Sequence, residues 1–234
     1  MNPKLTLNEA EMAQPRSPDD LRAWVEHTCK ALASSPEAKT YARSGARLPK
    51  KFYDEIFPLS LLMAYDYAGR RDVLVTPSLG SDNFDARIEI GQPPNIETTF
   101  VETTFARDGH DDSLRMEVLA KEGHVFMTGT VTVRGRRGSP QRIVHVEPAA
   151  ENHAVSVQNY LCLVESRVAA KSNVVYGPSH TLLVAIDDYH PMIEEDDWSQ
   201  LEKNAEAWLA RYPLDFARVA FVGVSGRHFL TRDV

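Results

Sequence analysis

The segment DNFDARIEIGQPPNIETTFVETT, residues 82–104, has the pattern of a β-hairpin. Apolar and charged side chains alternate through residues 84–90, which is typical of a strand with one solvated face. The stretch from 91 to 95 has the composition of a turn, and residues 96–104 form the predicted returning strand. A short β-rich run over residues 72–76 precedes the hairpin. The sequence therefore predicts a three-strand meander.

Outward from the meander, the chain alternates between helical and strand patterns. Ser17 and the residues after it have the features of a helix N-terminus, and an apolar stripe predicts a helix near residues 50–67 with a kink at Pro58. The continuous apolar run 181–186 predicts a strand buried on both faces. The other predicted elements are helices over 113–121, 151–172 and 197–211, and strands over 124–134, 141–146 and 218–224.

This order of elements predicts an α/β protein, with a mixed central sheet flanked by helices and an inserted β-hairpin. We expect one domain over residues 1–234, since no stretch has the composition of a linker. Residues 1–16 are polar and predicted to be flexible. Residues 17–49 form a predicted helical N-terminal extension, and residues 191–234 supply a C-terminal helix and strand.

The composition excludes several classes of protein. Hydrophobic residues make up 43% and charged residues 25% of the 234 positions, as in an ordinary globular domain. The apolar stretches are too short to cross a bilayer, so we expect no membrane partner. Only Cys29 and Cys162 are present, which indicates a reducing cytoplasm and no disulfide framework. The formal net charge of -7 argues against a protein that coats nucleic acid by charge alone.

Asp85 and Glu97 are the first candidates for chemistry. They lie on the two strands of the predicted hairpin, and a tight hairpin would bring their carboxylates within reach of each other. Neighbouring carboxylates usually share a proton or a cation, and oxygen ligands favour a hard divalent ion such as Mg²⁺. Glu89, on the same strand face as Asp85, is an alternative partner. Acids on the exposed face of a hairpin are also common without any bound ion.

The order of elements and two short motifs resemble the PD-(D/E)XK nuclease superfamily. That superfamily has a core of helix, three-strand meander, helix and fourth strand, with an acid on the second strand and an acid-x-Lys motif on the third. DNFDARIEI matches the first motif, and NIETTFVE matches the second. The helix around FYDEIF would be the first helix, and VESRVAAKSNVVYG followed by HTLLVAI would be the second helix and fourth strand. The resemblance covers residues 50–190 and implies a restriction-endonuclease-like core.

The resemblance implies a role for each matching residue of the hairpin. Asp85 would be the bridging metal ligand, Glu97 the second ligand, and the carbonyl oxygen of Thr98 would complete the set. Magnesium or manganese would lower the pKa of a bound water and neutralise the phosphate. The sequence departs from the motif at Thr99, which occupies the position of the usual lysine.

Residues on the two flanking helices would complete the site. Some members of the superfamily supply the lysine from the following helix, where Lys171 is the candidate and Arg167 lies one turn earlier. A lysine stabilises the attacking water or the developing charge. The supporting acid of the first helix would be Glu55, with Asp54 as an equal candidate.

Arg134, Arg136 and Arg137 cluster around the turn of the inserted hairpin and could contact a phosphate backbone, although a solvated hairpin is an equally simple interpretation. The expected function is Mg²⁺-dependent or Mn²⁺-dependent hydrolysis of phosphodiester bonds in DNA or RNA. The alternative is a catalytically inactive nuclease-fold protein that acts as a binding or assembly subunit, with a protein partner or a second copy of the chain. The missing strand lysine and the acidic net charge favour that alternative. A third interpretation is an unrelated soluble domain whose acids are merely exposed.

Overall fold

The computed structural model describes residues 6–126, 128–136, 139 and 141–234. Its α-helices are α1 (Glu9–Met12), α2 (Pro18–Leu32), α3 (Pro36–Ala42), α4 (Arg47–Lys51), α5 (Phe57–Asp66), α6 (Gly109–Glu122), α7 (His153–Ala169) and α8 (Glu195–Arg211). A π-helical turn, Phe52–Ile56, joins α4 to α5. Its strands are β1 (Val73–Pro77), β2 (Ala86–Gln92), β3 (Asn95–Phe105), β4 (Thr130–Arg134), β5 (Ile143–Glu147), β6 (His180–Ile186), β7 (Arg218–Gly223) and β8 (Phe229–Asp233).

Six strands form one mixed sheet in the order β1-β2-β3-β6-β7-β8. The first three strands are antiparallel neighbours, which confirms the predicted meander. Strands β3, β6 and β7 run parallel, because α7 and α8 carry the chain back across the sheet between them. Strand β8 pairs antiparallel with β7 at the far edge. The predicted mixed α/β sheet flanked by helices is therefore confirmed.

Helices cover both faces of this sheet, and each face has its own hydrophobic core. Leu62 of α5 and Val75 of β1 belong to one core, and Leu161 of α7 belongs to the other. Strand β6 contributes to both, since Leu183 packs into the first core and Leu182 into the second. The prediction that residues 181–186 form a strand buried on both faces is confirmed.

The inserted hairpin lies apart from the main sheet. Strands β4 and β5 pair with each other in a separate two-stranded sheet that packs against α6. Arg142 Nε donates to Glu117 Oε1 at 3.1 Å and ties the hairpin to that helix. The first strand of the hairpin begins at Thr130, six residues later than predicted.

The structure differs from the sequence prediction at both ends of the chain. Residues 8–16 are ordered against the core rather than flexible, because Met12 is fully buried and Arg16 pairs with Val75 beside β1. Residues 1–5 of the segment predicted to be flexible lie outside the described residues. Strand β8 was not predicted, since FLTRD lacks the alternation that marks β2.

The predicted kink near Pro58 is a π-helical turn. A proline has no N–H to donate to the carbonyl four residues earlier, which here belongs to Asp54. The helix widens instead, and the N–H of Phe57 donates to the carbonyl of Phe52, five residues back. Helical structure therefore continues from residue 47 to residue 66, and the turn presents Asp54 and Glu55 beside the sheet.

Strands β2 and β3 separate at one end of their shared ladder. The last paired residues are Ala86 and Val101, whereas β3 continues to Phe105. Beyond Val101, the side of β3 that faced β2 is open, and polar groups from both flanking layers can reach it. None of the helices in the described part of the chain is long and apolar enough to cross a membrane.

Candidate active site

Asp85 lies at the point where β2 leaves β3. Its backbone N–H donates to the carbonyl of Val101 at 2.8 Å, and its carboxylate accepts the N–H of Thr103 at 2.8 Å. The carboxylate thus occupies the ladder position that β2 would fill if it continued. About a fifth of the side chain is exposed. Asp85 is held in place by backbone geometry and remains open to a ligand.

The π-helical turn brings a second carboxylate to Asp85. Lys51 Nζ donates to Glu55 and lies 3.6 Å from Asp85 Oδ1, so one ammonium serves both acids. Burial and the charge of Asp85 raise the pKa of Glu55 to about 7, against the opposing effect of Lys51. Sequence analysis left Glu55 and Asp54 as equal candidates, and the structure places Glu55 against Asp85.

A third carboxylate comes from β3. Extending the register by one position places Glu102 opposite Asp85, and Lys171 Nζ donates to Glu102 Oε1 at 2.6 Å. Burial raises the pKa of Glu102, Lys171 opposes this rise, and the charge of Asp85 adds to it. Lys171 also lies 3.5 Å from the hydroxyl of Tyr176. Lys171, which the sequence predicts beside Asp85 and Glu97, therefore binds Glu102 instead.

We call Glu55, Asp85 and Glu102, together with Lys51 and Lys171, the acidic centre. Its members come from a helix on one face of the sheet, from both strands of the hairpin and from the end of a helix on the other face. They come together where the β2–β3 ladder ends, at the pair Ala86 and Val101. The five side chains are mostly buried, since none is more than 21% exposed.

The structure does not bring Glu97 to Asp85, and the predicted pairing of these two carboxylates is wrong. Glu97 pairs with Ile90 near the hairpin turn, five residues before Glu102. Five residues of strand span about 17 Å, and an odd separation places two side chains on opposite faces. Thr98, predicted to offer a carbonyl ligand, pairs with Glu89 at the same remote end. Both Glu97 and Thr98 are exposed.

The remaining candidates near the acidic centre have other partners. Asp54 is buried and binds Lys50 Nζ at 2.8 Å and the guanidinium of Arg107. Arg167 donates to the backbone carbonyl of Arg107. Glu89 lies 3.6 Å from Arg87 on its own strand. Asp54, Arg107 and Arg167 therefore form a structural link beside the acidic centre.

The arginines predicted to contact a nucleic-acid backbone lie on the inserted hairpin. Arg134 is exposed at the end of β4, and Arg136 is exposed in the turn that follows. Arg137 lies outside the described residues. The hairpin packs on α6, so these arginines belong to a different part of the surface from the β2–β3 ladder. Their contact with a backbone stays a prediction.

Sequence reasoning missed Glu102 and Lys51. The tetrapeptide ETTF occurs twice in β3, at residues 97–100 and again at 102–105, and only the first copy was considered. Counting outward from the turn would have found the second, because residues opposite each other in a hairpin are equally far from its turn. Lys51 and Glu55 are four residues apart, which is the spacing of an ion pair along a helix.

The acidic centre has the oxygen donors that Mg²⁺ prefers. In the described residues, however, no three His, Cys, Asp or Glu side chains are close enough together to hold a metal ion as they stand. The two ammonium groups take up the negative charge instead. The donor chemistry therefore fits a divalent ion, provided that the carboxylates draw together and Lys51 moves away. Comparison of the chain with family models, with curated proteins and with solved structures found no match.

Proposed function

We propose that the protein is a Mg²⁺-dependent nuclease that hydrolyses phosphodiester bonds of DNA or RNA, with a restriction-endonuclease-like core. One observation carries the proposal: three carboxylates and a lysine meet where two antiparallel strands separate. Each comes from an element where the superfamily places a functional group. Glu55 comes from the π-helical turn of the first helix, Asp85 directly precedes β2, Glu102 comes from β3, and Lys171 follows the end of α7.

The second motif shifts by five residues in this proposal. It is read as Glu102-Thr103-Thr104 rather than Glu97-Thr98-Thr99, so Thr104 occupies the usual lysine position. Lys171 supplies the missing ammonium and already contacts Glu102 at 2.6 Å. A lysine at this place can stabilise negative charge that develops on a phosphate oxygen.

The chain's carboxylates would hold the metal ion. Asp85 lies between the other two acids and would be the bridging ligand, with Glu102 and Glu55 on either side. When bound, Mg²⁺ lowers the pKa of a water and neutralises phosphate charge. Lys51 competes with a divalent ion for Glu55 and Asp85, so it stabilises the centre while no ion is bound.

The catalytically inactive alternative is favoured by one specific observation. Lys51 and Lys171 already pair with the acids, which is how a nuclease fold without a metal ion could stabilise its former site. Under this alternative, the chain would bind a partner through the same fold without cleaving nucleic acid. The two proposals differ in whether the centre takes up Mg²⁺.

Cleavage assays with single-stranded and double-stranded DNA and RNA test the proposal. The wild type is compared with Asp85→Asn, in the presence of Mg²⁺, Mn²⁺ or EDTA, with circular dichroism to check folding. We expect metal-dependent cleavage by the wild type and its loss by about 100-fold or more in Asp85→Asn, because the central ligand is weakened. Thr98→Ala, at the remote end of the hairpin, is the matched control and should cleave like the wild type. Undiminished cleavage by folded Asp85→Asn would overturn this site, and an inactive wild type that binds no Mg²⁺ would favour the alternative.

A further inference from the structure

A pocket lies at the carboxyl ends of the parallel strands β3 and β6. Its volume is about 580 Å³, within the range of about 300–1,000 Å³ typical of small-ligand sites. Ala106 and Asp187, which directly follow the two strands, form its floor, and α6 with the start of the inserted hairpin forms the opposite wall. Open α/β sheets commonly bind ligands at the carboxyl ends of their parallel strands.

Two carboxylates and a tyrosine line one part of this pocket. Asp112 comes from α6 and Asp187 follows β6. The N–H of Asp187 donates to the hydroxyl of Tyr160 at 2.7 Å, so that hydroxyl keeps its own hydrogen to donate. Burial raises the pKa of Asp112 and of Asp187, and the charge of Asp187 adds to the rise at Asp112. A ligand with several N–H donors could hydrogen-bond to these partly buried carboxylates, of which Asp187 already accepts the N–H of Tyr189 at 3.1 Å.

Two arginines also line the pocket. Arg107 has a third of its side chain exposed, and among the described residues its side-chain donors engage only Asp54, through Nη2. Its other N–H groups remain available to a ligand with acceptor atoms. Arg115 is more constrained, because it donates to the carbonyl of Gly129 at 2.9 Å and lies 3.6 Å from Asp112. Arg107 therefore has N–H groups that can donate to a ligand. Arg115 instead holds together the parts of the pocket wall that contain Gly129 and Asp112.

We infer that this pocket binds a guanine base. Guanine presents N–H donors at N1 and N2 and acceptors at O6 and N7, which match a carboxylate on one edge and a guanidinium on the other. In this pose Asp112 and Asp187, which both line the pocket, would accept from the donor edge, and Arg107 would donate to the acceptor edge. Uracil and thymine would turn carbonyl oxygens toward the carboxylates. Adenine and cytosine have an amino group but no ring N–H beside it. A carboxylate therefore cannot accept two parallel hydrogen bonds from either base.

The inference deepens the proposed nuclease function and rests on it for the biological source of the base. Arg107 connects the pocket to the acidic centre, since its guanidinium also binds Asp54, the neighbour of Glu55 in the π-helical turn. A strand whose phosphate lies at the acidic centre could therefore place a nearby unstacked base in the pocket. The pocket would then read guanine near the cleaved bond.

Titration calorimetry with mononucleotides tests the pocket without any cleavage step. We expect GMP to bind the wild type at least about tenfold more tightly than AMP, CMP or UMP. IMP, which lacks the 2-amino group, and 7-deaza-GMP, which lacks the N7 acceptor, should each bind several-fold to tenfold more weakly than GMP. Equal binding of all six nucleotides, or no binding of GMP at millimolar concentration, would overturn the inference.

Variants test whether the two carboxylates contribute to GMP binding. Asp112→Asn and Asp187→Asn should each weaken GMP binding by about tenfold, whereas Asp111→Asn, on the same helix but outside the pocket lining, should bind like the wild type. If a pocket variant fails to fold, the IMP and 7-deaza-GMP comparison on the wild type still decides. Unchanged GMP affinity in both folded pocket variants would contradict the assignment.

Cleavage of oligonucleotides shows whether the pocket binds guanine within a nucleic-acid strand or a free guanine nucleotide. In single-stranded oligonucleotides with one guanine, we expect cleavage at a fixed distance from it and loss of that preference when hypoxanthine replaces it. GMP binding combined with cleavage that ignores guanine would identify a free nucleotide as the ligand. GMP binding without any cleavage would retain the pocket and overturn the nuclease. Cleavage without GMP binding or guanine preference would retain the nuclease and overturn the pocket.

Discussion

The two ETTF copies of β3 have the same four residues and different surroundings. Glu97, in the first copy, is exposed beside the hairpin turn, where β2 and β3 are fully paired. Glu102, in the second copy, is mostly buried beside Asp85 and binds Lys171. The five-residue separation places the two glutamates on opposite faces and at opposite ends of the ladder. The comparison shows that the point where the neighbouring strand ends decides which copy of the motif lies beside other charged side chains.

The largest expected difference between the two copies is in cleavage. Glu102→Gln should lower Mg²⁺-dependent cleavage by about 100-fold or more, because a neutral amide holds a divalent ion poorly. Glu97→Gln should stay within about twofold of the wild type. Single-turnover rates on one oligonucleotide, measured side by side for the two variants, check this prediction. Equal losses in both variants would mean that the two copies do not differ in function.

A large difference is also expected in stability, between the buried acid of the π-helical turn and the exposed acid of the hairpin. Asp54→Ala should lower the free energy of unfolding by about 3 kcal/mol, because it leaves Arg107 without its buried partner. Glu97→Ala should change it by no more than about 0.5 kcal/mol. Urea denaturation at pH 7 measures both. A loss below about 1 kcal/mol for Asp54→Ala would show that the link between the π-helical turn and Arg107 is not structural.

The acidic centre should also make stability depend on pH. The pKa of Glu55 is about 7 in the folded protein and has the ordinary value of 4.5 when unfolded, so the folded state binds the proton more tightly. Stability from this group is therefore fully present below about pH 4.5 and is lost as the pH rises to 7, by an amount on the order of 2 kcal/mol.

Urea denaturation at pH 5 and pH 8, with EDTA present, checks this pH dependence. Glu55→Gln should lose most of the fall in stability, since an amide does not titrate. Glu97→Gln should keep the wild-type fall, because Glu97 lies far from Lys51 and Asp85. If the free energy of unfolding fell equally in the wild type and in Glu55→Gln between pH 5 and pH 8, Glu55 would not be the cause of the pH dependence.

The smallest expected effect is stabilisation by the metal ion. At ten times its dissociation constant, Mg²⁺ should raise the free energy of unfolding of the wild type by about 1.4 kcal/mol. Glu102→Gln should show less than half of this increase, and Glu97→Gln should show all of it. Thermal unfolding with and without Mg²⁺, followed by chelation to reverse the shift, provides the measurement. A full increase in Glu102→Gln would place the ion elsewhere.

Much of the fold follows from patterns that are local in the sequence. Alternation through residues 84–90 predicts β2, and the apolar run 181–186 predicts the buried β6, as the structure confirms. The segment FLTRD lacks such a pattern, and its pairing with β7 depends on tertiary contacts. Residues 8–16 are polar on average, yet one buried methionine and a backbone pair with β1 hold them in place.

The candidate site could be predicted only in part. The motif around Asp85 and the position of Lys171 indicated the region where the acidic centre lies, because each stands at the end of a predictable element. The partner of Asp85 depends on the register, and alternation alone does not fix where along a ladder two residues meet. The meeting of Glu55 with Asp85 depends on a π-helical turn that adds one residue to a helical turn. Neither feature has a signal in residue periodicity.

The π-helical turn also restricts how the length of this segment can vary. Each residue advances an α-helix by about 100°, so one additional residue rotates everything before it relative to everything after it. Lys51 and Leu59 lie on the two sides of the turn, the first directed to the acidic centre and the second packed in the core. A single-residue deletion that restored a uniform α-helix would keep Leu59 in place and rotate Lys51 away from Asp85. In an evolving sequence, a one-residue insertion or deletion here would therefore separate Lys51 from the acidic centre while Leu59 kept its place in the core, and Leu48 would have to repack.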